Sequence, residues 1–73
     1  MKTLNDLNVG QSADVLDILP TSKIRRRLQD IGLVEGTNVQ CLFKSPFGDP
    51  VAYCIRGAVI AIRADDASSI SIN

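Results

Sequence analysis

The sequence has few of the residues that most often carry chemistry. Its 73 residues include no histidine, no tryptophan, three aromatic residues and two cysteines. Without histidine, general acid–base catalysis would depend on carboxylates, and the eight acidic residues show no pairing typical of a catalytic dyad. Cys41 and Cys54 do not have the spacing of a zinc site. We therefore expect neither an enzyme nor a structural metal centre.

Long apolar runs and an excess of one charge are also absent. The longest apolar run, 58–62, is much shorter than the roughly 20 residues of a membrane helix. The first residues lack the apolar segment of a secretory signal. Eight basic residues balance eight acidic ones, so overall charge does not favour nucleic acid or a membrane surface. We expect one cytoplasmic domain covering residues 1–73, which neither spans a membrane nor binds nucleic acid.

The apolar residues alternate with polar ones in short segments, which is the pattern of β-strands. The predicted strands are 11–19, 39–44, 51–56, 58–63 and 70–72. Strands of this number and length predict a mainly β, small SH3-like partly closed barrel of about five strands. Leu16 interrupts the alternation of the first strand, which indicates a bulge or an edge. The apolar density of 58–63 predicts a near-central position in the sheet.

One short α-helix is predicted between the first two strands. Ile24, Leu28 and Ile31 recur at the spacing of one helical face. Thr21 and Ser22 precede this face and are suitable N-cap residues. The helix is therefore expected to begin close to Ser22 and to stop at Ile31.

The predicted helix ends at a glycine and has a basic face. Gly32 can adopt the left-handed conformation that ends a helix, and Leu33 is placed to pack back on Leu28. The run 23–27 carries four positive charges, and not all of them can point to the core. This face is either a solvated surface or a site that contacts phosphate or an acidic partner, or supplies an arginine to a nucleotide hydrolase.

The second and third strands are predicted to form a hairpin joined by residues 45–50, called the hairpin loop below. Matching the apolar faces predicts three pairs: Val39 with Ile55, Cys41 with Tyr53, and Phe43 with Val51. This register turns the two cysteines to opposite faces, whereas a slip of one residue would place them opposite each other. In a reducing compartment we expect buried free thiols.

Phe47 lies between Pro46 and Gly48 at the tip of the hairpin loop. An apolar ring at such a position has little local structure to pack against. It is either a partner contact, as exposed apolar loop residues often are, or it folds back over the mouth of the barrel. The sequence leaves both interpretations open.

A family resemblance follows from the order of the motifs. RLQDIGLVEGTNV at 27–39 is followed by SPFGDP at 45–50, by Arg56-Gly57 and by AIR at 61–63. Over residues 4–72 this arrangement resembles the bacterial ferrous iron transport protein A (FeoA) family. The motif positions with expected structural roles are Gly32, Gly36, Pro50, Arg56 and Gly57.

The resemblance implies a small SH3-like accessory or regulatory protein of ferrous iron uptake. Its partner would be FeoB, a membrane ferrous iron transporter whose cytoplasmic part binds and hydrolyses GTP. The expected partner contacts are Pro46, Phe47, Gly48 and Asp49 in the loop, and Arg25, Arg26 and Arg27 on the helix. No cofactor is expected beyond a weak, transient ferrous ion whose site is unknown.

Two alternative functions stay open on the sequence. One is a small domain that binds or senses a transition metal through carboxylates or through Cys41 and Cys54. The other is stimulation of GTP hydrolysis in a partner by an exposed arginine among Arg25, Arg26 and Arg27.

Overall fold

Antiparallel strands make up most of the computed structural model, which describes residues 2–73. The strands are β1 Lys2–Thr3, β2 Ser12–Ile18, β3 Asn38–Lys44, β4 Val51–Ile55, β5 Ala58–Ile62 and β6 Ile70–Ile72. The α-helices are α1 Arg25–Asp30, between β2 and β3, and α2 Ala64–Ala67, between β5 and β6; a 3-10 turn covers Leu4–Asp6. The mainly β class and the single helix between the first two long strands are as predicted.

The six strands form one sheet in the order β1-β6-β2-β3-β4-β5. The additional strand is β1, which pairs Lys2 with Ile72. Within residues 2–73 no pairing joins β1 to β5, so the strongly bent sheet is not closed. The SH3-like class is confirmed, with six strands instead of about five.

The prediction for the strand at 58–63 was wrong in one respect. Within the described part of the chain, β5 is an edge strand with β4 as its only neighbour, and not a near-central one. Its side chains alternate between a buried Ile62 and a half-buried Ile60 on one face and an exposed Val59, 64% accessible, on the other. The density of apolar residues therefore did not predict the position of this strand in the sheet, because one of its apolar faces lies in solvent.

The hairpin of β3 and β4 follows the predicted register only in part. Val39 pairs with Ile55 and Cys41 with Tyr53, as predicted, but a bulge follows Cys41. Phe43 consequently pairs with Ala52 instead of Val51, and its side chain is 59% exposed. One extra residue in a strand moves every later side chain to the other face, which is why the predicted third pair was wrong.

A second bulge confirms the interpretation of Leu16. The register between β2 and β6 shifts between Val15 and Asp17. Leu16 is half exposed, while Val15 on its N-terminal side is 1% exposed. The bulge keeps Val15 and Ile18 in the core although three positions separate them.

The core lies on the concave face of the bent sheet and is closed by the N-terminal turn. Tyr53 is its largest fully buried side chain, and its hydroxyl donates a hydrogen bond to the Leu4 carbonyl at 3.2 Å. Burial disfavours the phenolate and raises the pKa of Tyr53 to about 12. The N-terminal segment is thus anchored to the middle of β4.

Helix α1 ends as the sequence predicts. The Leu33 amide donates to the Leu28 carbonyl at 2.9 Å and the Gly32 amide donates to the Gln29 carbonyl at 3.0 Å, the two bonds of a Schellman motif. Gly32 has φ +95°, and Leu28 and Leu33 are both buried. The predicted C-terminal closure is confirmed.

The predicted start of α1 was wrong. Its N-cap is Ile24, and no side chain caps it. The Ser22 hydroxyl accepts instead from the Ser69 hydroxyl at 3.0 Å. This serine therefore links the approach to α1 with the segment between α2 and β6.

Candidate partner-binding surface

The hairpin loop is held firmly at its base. The Gly48 amide donates to the Ser45 carbonyl at 2.8 Å, and the Ser45 amide donates to the Pro50 carbonyl at 3.2 Å. The Asp49–Pro50 peptide bond is cis. The first of these bonds closes a four-residue turn over 45–48. The two central residues of that turn, Pro46 and Phe47, project from it.

Phe47 is the most exposed large apolar residue among residues 2–73, at 96% accessible. The ring does not fold back over the barrel, which excludes one of the two interpretations that the sequence left open. An exposed phenylalanine gains nothing from the fold of its own chain. Its position therefore suits a contact with another molecule.

Asp49 belongs to the loop but its carboxylate is already engaged. Asp49 Oδ1 accepts a hydrogen bond from the Ala64 amide at 2.8 Å, at the first residue of α2. A carboxylate at this position satisfies an amide that the helix itself cannot pair. Its role in the fold is to join the hairpin loop to α2, which the sequence motif did not reveal.

The three arginines of α1 do not form one surface. Arg25 is half-buried and lines a shallow depression with Asp17 and Glu35. Arg26 and Arg27 are exposed, and Arg27 lines a different groove, beside β5. Consecutive helical residues point in directions about 100° apart, so this separation follows from helix geometry.

One groove lies between the base of the hairpin loop and α1. Pro50 at the base of the hairpin loop and Arg27 on α1 both line a groove of about 230 Å³. The remaining lining comes from α1, the edge strand β5 and α2. We call it the edge groove. Of the predicted partner contacts, only Arg27 reaches it.

An apolar patch on the outer face of the sheet was not anticipated from the sequence. It consists of residues from β3, β4 and β5 that alternate with the core residues of those strands: Phe43, Ala52, Cys54, Val59 and Ala61. Phe43 and Val59 are its exposed large members. The sequence signal that could have revealed it is that every residue of 51–55 and 58–62 is apolar, so both faces of these strands are apolar.

The motif residues Arg56 and Gly57 form the turn between β4 and β5. Both have positive φ, +51° and +82°, as a type I′ turn of two residues requires. The stem of Arg56 extends to Gly32, where it occupies the space of a side chain. Gly36, with φ +88°, lies in the turn before β3.

Metal-ligating residues are dispersed in the part of the chain that the structure describes. Residues 2–73 contain no group of three His, Cys, Asp or Glu side chains able to hold an ion. Cys41 is buried, and burial raises the pKa of its thiol. Cys41 pairs with Tyr53 and Cys54 with Gln40, which places the two cysteines on opposite faces of the sheet. No helix of residues 2–73 has the length and apolarity to cross a bilayer.

The architecture defines a small SH3-like β domain whose projecting residues suit contact with another protein. Its structure superposes on the solution structure of FeoA from Chlorobium tepidum with a TM-score of 0.91 and 32% identity, covering 99% of this chain and 69% of that one. It superposes on the crystal structure of Stenotrophomonas maltophilia FeoA, complexed with zinc, with a TM-score of 0.88 and 27% identity. That match covers 100% of this chain and 91% of the other.

The chain belongs to the FeoA domain family, whose model matches residues 2–73. It is also 28% identical, over 69 residues, to the Fe(2+) transport protein A/Fe(2+) transporter FeoB fusion protein of Porphyromonas gingivalis. That match covers 94% of this chain and 8% of the fusion protein. The family is associated with ferrous iron transport, and its members are small accessory SH3-like domains.

Proposed function

We propose that this protein is a nonenzymatic, cytoplasmic accessory protein of ferrous iron uptake that binds the cytoplasmic GTPase region of a FeoB-type transporter. The observation that carries the proposal is the exposure of Phe47, 96% accessible at the tip of a loop with a fixed base. Such a ring is suited to anchor a protein interface, because aromatic residues are enriched among the residues that dominate binding energy.

The choice of partner rests on the family. In the Porphyromonas gingivalis relative, Fe(2+) transport protein A and the transporter FeoB are parts of one fused chain. Two domains joined in one chain have a high effective concentration for each other, and this favours contact between them. Fusion of two proteins is therefore an indication that they act together. We extend that association to the present chain, as contact between separate molecules.

The physical contribution of Phe47 can be estimated. Burying a phenylalanine side chain in an interface is worth about 1.5–3 kcal/mol. Pro46 beside it is exposed and fixes its own backbone φ, so part of the loop is already ordered. Asp49 also supports the loop through α2, because its Oδ1 accepts the Ala64 amide.

The direct test measures the dissociation constant for the transporter's soluble GTPase region. We expect Phe47→Asp to weaken binding by at least roughly tenfold, because it replaces apolar burial by a desolvated charge. Val9→Asp is the matched control, since Val9 is also exposed, at 56%, but lies outside the hairpin loop. Equal affinities for the wild type and Phe47→Asp would remove the loop from the interface.

A second function is favoured by the exposure of Arg26 and Arg27. An arginine free to reach a partner's nucleotide site can stabilise the transition state of phosphoryl transfer, with effects of about 10³-fold or more. The test is GTP turnover by the transporter region with excess wild-type protein, Arg26→Ala or Arg27→Ala. Stimulation that one substitution abolishes supports this function, and unchanged turnover with the wild type rejects it.

A further inference from the structure

The edge groove is bordered by the backbone of β5. Four consecutive residues, 60–63, line it together with Ile24 and Leu28 of α1. Consecutive strand residues point to opposite faces of a sheet, so a groove that touches the three strand residues 60–62 lies along the strand's edge. The opening between α1 and β5 therefore exposes the side of β5 that has no strand neighbour.

The hairpin geometry defines which backbone groups point into this opening. Ile55 and Ala58 flank the two-residue turn and pair with each other, so the backbone groups of Ala58 point to β4. The direction alternates along an antiparallel strand. The amides and carbonyls of Val59 and Ala61 consequently point away from β4, toward the free edge.

Within β5, residues 58–62, no charged residue, proline or bulge protects the free edge against strand addition. Proteins generally guard an edge strand with a charged residue, a proline, a bulge or a cover. β5 has the sequence AVIAI, and its register with β4 is continuous over all five residues. An uninterrupted, uncharged edge of this kind can accept another strand.

The charges around the groove define what kind of strand fits. Arg27 lies on its α1 side and Arg63 at the end of β5, and Asp66 is the only acidic residue of the lining. Arg27 and Arg63 are both exposed. Two arginines against one aspartate favour an occupant with carboxylates, and the lining side chains Ile24, Ile60 and Ile62 favour apolar residues between them.

We propose that the edge groove binds an extended acidic segment of the partner, which adds as a strand to β5 and places carboxylates near Arg27 and Arg63. The inference rests on the proposed function, because it assigns the segment to the transporter's cytoplasmic part. Backbone hydrogen bonds to Val59 and Ala61 hold the segment, and the two arginines select its charge.

The first experiment uses a defined probe and does not require the transporter. A short capped peptide of alternating glutamate and valine is titrated into isotope-labelled protein, and amide NMR shifts are recorded. Lysine replaces glutamate in the control peptide. We expect shifts at Ala58–Ile62 and in α1 with the acidic peptide, and none at these residues with the basic one. Equal responses to both peptides, or shifts confined to other strands, would overturn the proposal.

The second experiment removes one outward backbone donor. Ala61→Pro deletes the amide that points to the free edge, and proline is tolerated at such positions of edge strands. Ala61→Ser keeps the amide and is the matched control. Loss of a backbone bond to a bound strand should weaken peptide binding by roughly fivefold to tenfold in Ala61→Pro. Preserved dispersion of the amide spectrum confirms that the variant is folded.

Charge reversal provides a variant that does not alter the strand. Arg63→Glu with Arg27→Glu should invert the preference, so that the basic peptide binds and the acidic one does not. Unchanged preference would contradict the assignment of these arginines. If instead sedimentation shows wild-type dimers that Ala61→Pro dissociates, the edge pairs with a second copy and the proposal is wrong.

The same variants separate this inference from the proposed function. If the transporter's GTPase region binds wild type and Ala61→Pro equally but fails to bind Phe47→Asp, the strand-addition proposal fails and the proposed function stands. If that region binds no form of the protein while the acidic peptide binds at β5, the proposed partner fails and the edge site stands as a peptide site.

Discussion

The side chain of Arg56 lies against the α-carbon of Gly32. A β-carbon at position 32 would be 2.5 Å from Arg56 Cδ and 3.0 Å from its Nε. The contact joins the turn between β4 and β5 to the C-terminal end of α1. The two motif positions are therefore coupled: one requires the absence of a side chain, and the other fills the space.

Gly32→Ala should lower the free energy of unfolding by more than a positive φ alone predicts. Left-handed backbone costs a residue with a β-carbon about 1–2 kcal/mol, and the new methyl group must also displace Arg56. Gly36→Ala is the matched control, because Gly36 has φ +88° but a β-carbon there would meet nothing within 4 Å. Urea denaturation of both variants measures the difference.

Repeating Gly32→Ala in an Arg56→Ala background isolates the contact. We expect the glycine substitution to cost less there, by about 0.5 kcal/mol or more, as is usual for residues in direct contact. If Gly32→Ala costs the same as Gly36→Ala in both backgrounds, the packing of Arg56 on Gly32 does not restrict the position.

Asp49→Ala should destabilise the protein by about 1 kcal/mol, because it removes the acceptor of the Ala64 amide. Asp49→Asn keeps an oxygen at the same place and should recover most of the loss. Hydrogen exchange at the Ala64 amide is the local measurement, and it should become faster only in the alanine variant. Equal protection in both variants would show that the aspartate does not cap α2.

Alkaline pH should weaken the fold through Tyr53. An unfolded tyrosine ionises near pH 10, whereas burial raises the pKa of Tyr53 to about 12. Between these values the unfolded chain loses a proton that the folded chain retains, so the free energy of unfolding falls as pH rises, by at most about 3 kcal/mol. This contribution is fully present below pH 10.

Denaturation curves across this pH range test the assignment. Tyr53→Phe should be less stable at neutral pH by about 1 kcal/mol, since it loses the bond to the Leu4 carbonyl. It should also lose stability less steeply than the wild type as pH rises. Parallel pH dependence in the two proteins would assign the alkaline transition to other groups.

Phe43→Ser should have little effect on stability, below about 1 kcal/mol, because the bulge turns Phe43 outward and leaves it 59% exposed. Ile55→Ala is the core comparison: Ile55 is 1% exposed, and its truncation should cost about 2–5 kcal/mol. Thermal or urea denaturation ranks the two variants. A loss from Phe43→Ser equal to that from Ile55→Ala would place the ring in the core.

The features that sequence predicted well depend on short-range patterns. Leu28, Gly32 and Leu33 define the end of α1 within one turn of chain, and the structure shows the bonds that this spacing predicts. The first two pairs of the hairpin, from Val39 and Cys41, follow from alternation alone. Local geometry determines these features, so local residues reveal them.

The features that sequence missed depend on residues far apart in the chain. The bulge after Cys41 leaves no gap in the apolar pattern, because Leu42 and Phe43 are both apolar. The Asp49–Ala64 bond and the placement of Arg27 and Arg63 beside one groove arise only in the folded chain. Alternation reports which residues are apolar, but it does not report which strand has a neighbour, and the edge position of β5 was missed for that reason.

The fixed base of the hairpin loop has a consequence for the entropy of association. Restricting the backbone of one flexible residue costs about 1–2 kcal/mol. Three hydrogen bonds already restrain Ser45, Gly48, Asp49 and Pro50 in the free protein. A partner that captures Phe47 has to immobilise little beyond the tip of the loop. Because little ordering cost is subtracted, more of the interaction energy of the Phe47 ring contributes to the affinity. The protein also needs no conformational change to present this ring.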